Sequence, residues 1–176
     1  MPPVSPQRAL SRLAQIAERS RPWRYWGRRH IVPALRILRA DEDPRGAWRQ
    51  VYGDFAARRN LDRTLEHTWL AVHRHRALGG LMLHPRGDDL LLHTMRVRRP
   101  YRGLGVGGWL LDRILADADR SGRRIWLQVR HDNRPAIGLY SSRGFRVTRE
   151  DPAFFRDGHL VMKRDPRGGP ADSGHS

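Results

Sequence analysis

The chain has 176 residues, and its 34 Lys and Arg residues outnumber its 18 Asp and Glu residues, which gives a net charge of +16. This length predicts one domain that buries roughly 70% of the surface of the unfolded chain. Because there is no cysteine, disulfides, cysteine-ligated zinc and a cysteine acyl-enzyme are excluded. No apolar run is long enough for a membrane helix or a secretory signal, so we expect a cytoplasmic protein without membrane insertion.

Residues 1–30 are predicted to form an N-terminal extension outside the main domain. Ser5 is placed to cap an amphipathic helix over residues 5–17, and a run rich in arginine, tyrosine and tryptophan follows over residues 20–30. This run has two interpretations. It contacts RNA or the ribosome through phosphate pairing and base stacking, or it is a solvated extension whose tryptophans pack on the domain. We favour the second.

Strand and helix patterns follow one another between residues 35 and 97. The predicted elements are a strand at residues 35–37, a helix through Trp48, Val51, Tyr52 and Phe55, strands at residues 68–74 and 77–84, a turn at residues 85–89 and a strand that ends at Val97. Gly79 and Gly80 indicate a bulge within the third of these strands. The last strand leads directly into a glycine-rich loop.

This loop has the composition of an anion-binding site. It reads Arg102-Gly103-Leu104-Gly105-Val106-Gly107-Gly108 and opens an amphipathic helix. Glycine allows backbone N–H groups to approach a phosphate closely, and a helix N-terminus carries partial positive charge. A P-loop is excluded because Lys163 is the chain's only lysine, and a dinucleotide fold is disfavoured because Arg123 and Arg124 stand where an acidic residue is expected. We therefore predict a site for a phosphorylated cofactor.

A helix, a strand and a second helix are predicted after the loop. Apolar residues recur at helical spacing over residues 106–118, and Gly122 ends that helix. Alternation over residues 125–130 indicates a strand, after which Asn133 caps a short helix that Gly144 ends. Asn133 and Tyr140 are two helical turns apart and share a face, as the wall of a catalytic site requires.

The two motifs resemble those of the GNAT superfamily of acetyl-CoA-dependent N-acetyltransferases, over residues 35–165. The first motif matches at Arg102, Gly105 and Gly107. The second is most similar to that of ribosomal-protein N-terminal acetyltransferases and matches at Leu127, Val129, Asn133, Ala136, Leu139, Tyr140, Gly144 and Phe145. The resemblance implies a single α/β domain at residues 31–165, whose central mixed, mostly antiparallel sheet is flanked by helices and splayed at the acetyl-CoA site.

The resemblance also implies which residues hold acetyl-CoA, the co-substrate. The backbone before the loop lies beside the pantetheine arm, and the loop itself holds the pyrophosphate. Tyr140 acts as the general acid near the sulfur, because its usual pKa of about 10 keeps it protonated at neutral pH. The implied cofactor-binding residues are Met95, Val97, Arg102, Gly103, Leu104, Gly105, Val106, Gly107, Asn133 and Tyr140.

The motifs do not define a general base. In the acetyltransferases that the second motif resembles, a glutamate commonly occupies the position of Gln128, and glutamine can orient an amine or a water but cannot usefully accept a proton. His93 is the best substitute, because imidazole titrates near neutral pH and strand alternation places His93 in phase with Met95. A merely packed or solvated histidine is an equally good interpretation. Asp89 and His84 are weaker candidates, and a water chain would need none of them.

We predict acetyl transfer to a primary amine, on a protein N-terminus or a small amino compound. The positive charge argues against polyamines and aminoglycosides as acceptors. Two alternatives stay open: acetylation of aminoacyl-tRNA, which the charge suggests, and a non-catalytic acyl-CoA-binding or RNA-associated module, which Gln128 suggests. No metal site is predicted, because His67, His73 and His75 lack an accompanying set of carboxylates or cysteines.

The C-terminal part carries weaker signals. A last strand is predicted at residues 159–163, and Phe154, Phe155, Asp157 and His159 either line the acceptor side or close the core. Residues 166–176 are predicted to be a disordered tail. The oligomeric state does not follow from the sequence.

Overall fold

The computed structural model describes residues 28–53, 61–150 and 156–168. The strands are β1 (Arg36–Arg39), β2 (Thr68–His73), β3 (Arg76–Arg86), β4 (Asp89–Val97), β5 (Ile125–Arg130), β6 (Arg146–Val147) and β7 (His159–Arg164). The helices are α1 (Trp48–Tyr52), α2 (Val106–Arg120) and α3 (Arg134–Ser141), and short 3₁₀ turns cover Val32–Ala34, Leu61–His67 and Arg99–Tyr101.

The seven strands form one mixed sheet in the order β1-β2-β3-β4-β5-β7-β6. The pair β4–β5 is parallel, and the other pairs are antiparallel. The β4–β5 connection runs through α2, as a parallel pair requires a crossover. The predicted α/β fold with a mixed, mostly antiparallel sheet is confirmed.

The middle of the sheet opens where β4 leaves β5. Their pairing covers Leu90–Leu92 against Ile125–Leu127 and goes no further, although both strands continue. On the other side of β4, Gly80 pairs with Arg96 and Met82 with His93, so that one residue of β3 stands opposite two residues of β4, which is a β-bulge. Strand divergence and bulge together open a cleft through the centre of the sheet.

Apolar residues cover both faces of the sheet. The larger core cluster lies under α2 and α3 and includes Leu92, Leu110, Ile114 and Leu127, each about 1% exposed or less. The smaller cluster lies on the opposite face, where α1 packs with Trp48, Val51 and Tyr52. Burial of both faces explains why β2 and the first part of β3 are nearly continuous apolar runs.

The elements agree closely with the sequence patterns, with a few differences. The register of β2 against β3 shifts beside Leu78, so the first irregularity of β3 lies one residue before the predicted Gly79-Gly80 position. The predicted N-terminal helix, Phe55, Phe154, Phe155 and residues 169–176 lie outside the described residues. In the described start of the predicted tail, the Arg167 N–H donates to Asp119 Oδ1 at 2.8 Å.

Candidate active site

A cleft of about 990 Å³ occupies the opening between β4 and β5. One side, which we call the glycine wall, consists of residues 102–103 and 105–108 with Met95, Val97, Asn133 and Tyr140. The other side, which we call the strand wall, consists of His93 and Arg96 from β4, Gln128 and Arg130 from β5, and His159 from β7. The structure thus gathers residues from three strands and two helices around one space.

The glycine wall presents the unpaired N-terminal turn of α2. Gly105 lies just before the helix with a φ of 92°, which only glycine adopts without strain, and the Trp109 N–H donates to the Gly105 carbonyl at 2.9 Å. The N–H groups of the first turn therefore have no partner within the helix and form an anion-binding end. The Arg102 Nε donates to the Val97 carbonyl at 3.0 Å, which ties the loop to the end of β4.

Close packing holds α2 against β4. A Cβ on Gly107 would lie 2.9 Å from Met95 Cε and 3.4 Å from Val97 Cγ2. Glycine at this position therefore lets the helix N-terminus sit directly on the strand that borders the cleft.

The bulge in β4 sets which residues face the cleft. Thr94 has a φ of 53°, unusual for a β-branched residue, and its carbonyl accepts a hydrogen bond from the Tyr52 hydroxyl at 3.3 Å. Tyr52 is 2% exposed, and a Cβ on Gly80 would lie 2.9 Å from the Tyr52 oxygen. The bond from α1 to the bulge is thus possible because Gly80 leaves room for it.

Tyr140 places a hydroxyl inside the cleft. Its ring is 7% exposed and meets the Phe145 ring edge-on at 5.6 Å, while its hydroxyl lies 3.7 Å from Met95 Sδ. A thioether is a weak acceptor, so the hydroxyl keeps most of its hydrogen-bonding capacity. Burial raises the pKa of Tyr140 to about 12, so the group is protonated at neutral pH.

Asn133 and Leu104 act through packing and capping. The Asn133 side chain accepts a hydrogen bond from the Ala136 N–H at 3.3 Å and so caps α3 at the cleft. Leu104 is fully buried in the core under α2 and is not among the residues that line the cleft. The implied cofactor contact of Leu104 therefore does not involve its side chain, which anchors the loop instead.

His93 does not share a face with Met95, and this expectation is wrong because of the bulge. Leu92 belongs to the core under α2, whereas His93 pairs with Met82 on the α1 side. His93 is exposed at the cleft, its ring stacks on His84 with centroids 4.5 Å apart, and its Nδ1 lies 3.1 Å from Thr94 Oγ1. His93 thus borders the cleft from the strand wall.

Gln128 also lies on the strand wall, whereas the two weaker base candidates lie elsewhere. Asp89 is at the opposite end of β4, where its carboxylate accepts a hydrogen bond from Trp126 Nε1 at 2.7 Å. The His84 ring stacks on His93 and is tilted against His67, and His84 does not line the cleft. Among the described residues that line the cleft, none is aspartate or glutamate.

Several lining residues carried no signal in the sequence. Thr94 and Arg96 line the cleft and follow an irregular strand register that alternation does not predict. Tyr52 supports the bulge from outside the cleft, and the apolar pattern of its helix gives no sign of the bond to the Thr94 carbonyl. Within residues 28–53, 61–150 and 156–168, no group of three or more His, Cys, Asp or Glu side chains is arranged so that it could hold a metal ion. No helix in those ranges combines the length and the apolar character that crossing a membrane would need.

Similarity to known proteins agrees with this geometry. The chain is 30% identical to N-alpha-acetyltransferase 50 of Danio rerio over 91 residues, 47% of this chain and 54% of that protein. It is 36% identical to the ribosomal protein bS18-alanine N-acetyltransferase of Escherichia coli strain K12 over 59 residues, 33% of this chain and 40% of that protein. The chain thus spans about half or less of the curated relatives that it matches.

The fold and the family model extend the similarity over most of the domain. The crystal structure of Ard1 from Thermoplasma volcanium superposes with a TM-score of 0.60 at 21% identity, over 76% of this chain and 98% of Ard1. The model of the acetyltransferase (GNAT) family matches residues 34–145, more than half of the chain. With its glycine loop, its splayed sheet and this match, the chain belongs to the GNAT family of acetyltransferases.

Proposed function

We propose that this protein transfers the acetyl group of acetyl-CoA to a primary amine, on a protein N-terminus or a small amino compound. The observation that carries the proposal is Tyr140, a buried residue that lines the cleft and whose hydroxyl lies 3.7 Å from Met95 Sδ. The names of the two relatives, an N-alpha-acetyltransferase and an alanine N-acetyltransferase, favour an α-amino group as the acceptor.

The glycine wall fits a phosphorylated thioester. The N-terminal turn of α2 and Arg102 would hold the pyrophosphate, because both supply N–H donors toward an anion. The backbone of Met95 and Val97 would lie beside the pantetheine arm, where β4 has left β5 and its polar groups are free of that partner. Bound acetyl-CoA supplies an activated acyl group and a thiolate as the leaving group.

Tyr140 is the proposed general acid. Its hydroxyl would give its proton to the departing sulfur and so prevent the release of an unprotonated thiolate. Burial suits this role, because the raised pKa keeps the proton on the oxygen at neutral pH. Asn133 is proposed to hold the start of α3, and hence Tyr140, at the correct depth beside the cofactor.

The strand wall is proposed to receive the amine without a carboxylate base. Gln128 would orient the amine or a water through its amide, and His93 would accept the proton that the amine loses. The exposed position of His93 allows that proton to pass on to solvent. This arrangement suits an amine that arrives largely unprotonated.

Transfer of label from radioactive acetyl-CoA into a cell lysate tests the proposal. After incubation, the lysate is separated into protein, RNA and small-molecule fractions, and the Tyr140→Phe protein is the control. We expect label in protein or small molecules that depends on Tyr140. Label in the RNA fraction would favour aminoacyl-tRNA as acceptor, and no label above control in any fraction would contradict the enzymatic role in favour of a binding module.

A further inference from the structure

The strand wall has an unusual charge for a surface that receives an amine. Three of its five side chains are His93 and Arg96 from β4 and Arg130 from β5, and a second histidine, His159, lies opposite Arg130 in the β5–β7 register. Gln128 is neutral. The described lining of the whole cleft contains no carboxylate that would attract a protonated amine.

The fold directs these side chains to one face. Gln128 and Arg130 alternate along β5 with Leu127 and Val129, which are buried under α2, so they point to the α1 side of the sheet. Arg96 pairs with Gly80, and a Cβ on Gly80 would point at the Tyr52 hydroxyl, which lies on the α1 side. Arg96 therefore points to the same side. The strand wall therefore presents two arginines and two histidines to the cleft, opposite the glycine wall.

The neighbouring carboxylate does not remove this character. Arg130 donates to both carboxylate oxygens of Asp132, at 3.0 and 2.7 Å, and the two side chains are 67% and 54% exposed. Water screens the attraction between charges at this exposure, so a second carboxylate can compete for the guanidinium despite the two hydrogen bonds. Asp132 does not line the cleft, so an acceptor carboxylate can take the Arg130 guanidinium from the cleft side.

Two physical consequences follow for the acceptor. Nearby cations disfavour a second positive charge, so they lower the pKa of an amine that enters the cleft and favour its reactive neutral form. The same cations favour a negative group on the rest of the acceptor, since opposite charges across an interface set specificity. Acceptors that carry another positive charge meet repulsion on the same wall.

From this surface we infer that the acceptor is a primary amine with a carboxylate within a few bonds of the nitrogen. The carboxylate belongs either to the first or second side chain of a peptide or to a free amino acid, and Arg96 and Arg130 bind it. This inference rests on the proposed acetyl transfer and names its substrate class.

Matched acceptors test it directly. The full chain is assayed with acetyl-CoA and a set of peptides that differ only in the first residue, which is Asp, Asn, Glu, Gln or Lys. Free aspartate and free asparagine are compared in the same assay. We expect kcat/KM for the acidic member of a pair to exceed that of its amide by about tenfold, and the lysine peptide to be poorest. The comparison of peptides with free amino acids shows whether the preferred carboxylate belongs to a peptide side chain or to a free amino acid.

Charge-removing variants locate the preference. Arg96→Gln and Arg130→Gln should each reduce the acid-to-amide ratio about threefold or more, with little change in the KM for acetyl-CoA. Arg120→Gln is the matched control, because Arg120 is an exposed arginine at the far end of α2. It should leave the ratio unchanged.

The possible outcomes separate the inference from the proposed function. Equal rates for acid and amide members, or a preference for lysine, would overturn the inference while acetyl transfer stands. If neither Arg96→Gln nor Arg130→Gln changes the acid-to-amide ratio, the assignment of carboxylate binding to Arg96 and Arg130 is likewise overturned. No transfer to any acceptor here, together with no Tyr140-dependent label in the lysate, would overturn the proposed function itself.

Discussion

The two walls of the cleft are built by different means. The glycine wall is a backbone structure in which a contiguous loop, the first turn of α2 and the bulged end of β4 present N–H groups and leave room for a ligand. The strand wall is a side-chain structure in which five residues from three strands set the charge and the hydrogen bonding. We therefore propose that cofactor binding depends on backbone geometry, and the choice of acceptor on side chains.

Removal of the Tyr140 hydroxyl should have the largest effect, because this hydroxyl is the proposed proton donor to the departing sulfur. Tyr140→Phe keeps the ring against Phe145 but has no proton to give, so we expect kcat to fall about 100-fold or more. The dissociation constant of acetyl-CoA, measured by calorimetry, should stay within about twofold of wild type because general-acid catalysis acts on the reaction step. Full turnover in this variant would show that another group protonates the sulfur.

A substitution in the glycine wall should weaken cofactor binding by about tenfold. Gly105→Ala forces a side chain into a φ of 92° at the start of α2, which costs roughly 1–3 kcal/mol and displaces the N–H groups of the loop. Gly122→Ala is the control, because Gly122 has a φ of 65° at the other end of α2 with open space around it. Both variants should unfold at lower urea concentration, and only Gly105→Ala should bind acetyl-CoA more weakly. If Gly105→Ala binds acetyl-CoA as tightly as Gly122→Ala does, the placement of the pyrophosphate at this loop is contradicted.

Loss of the hydrogen bond from α1 to the bulge should have a smaller effect. Tyr52→Phe removes the donor to the Thr94 carbonyl, which costs about 1 kcal/mol of stability and lets the bulge relax. We expect kcat/KM for acetyl-CoA to fall about fivefold as a result. Ser121→Ala, which removes a hydroxyl donor to the Asp117 carbonyl at the far end of α2, should lose similar stability without this change. A kinetic effect of the same size in both variants would assign it to stability alone.

Introduction of a carboxylate on the strand wall should have the smallest effect, which we expect in the pH dependence of the rate. Because the described residues that line the cleft include no carboxylate, the wild-type rate should rise with pH as the amine deprotonates. It should not fall through loss of the acid until the pH approaches about 12, because Tyr140 is active below its pKa and inactive above it. Gln128→Glu should raise the rate a few-fold near neutral pH and reduce the preference for acidic acceptors. A wild-type rate that already falls between pH 8 and about 10 would contradict the Tyr140 assignment.

The sequence predicts the two walls unequally, for a physical reason. The loop at residues 102–108, the Asn133 cap and the position of Tyr140 depend on local spacing, so short motifs reveal them. The bulge at Thr94 and Met95 depends on the register against β3 and on Tyr52, which lies 42 residues away, so strand alternation placed His93 on the wrong face. The charge of the strand wall requires β4, β5 and β7 to be neighbours, and no local pattern contains that information.

Protection of backbone amides by acetyl-CoA is the most direct test of the two-wall arrangement. Hydrogen–deuterium exchange is measured with and without acetyl-CoA on the wild-type protein. We predict slower exchange at residues 94–97 and 102–108 and in the first turn of α3, with little change in β7. Protection centred on β7 or on residues 61–67, or no protection at saturating acetyl-CoA, would contradict the assignment of the glycine wall as the cofactor site.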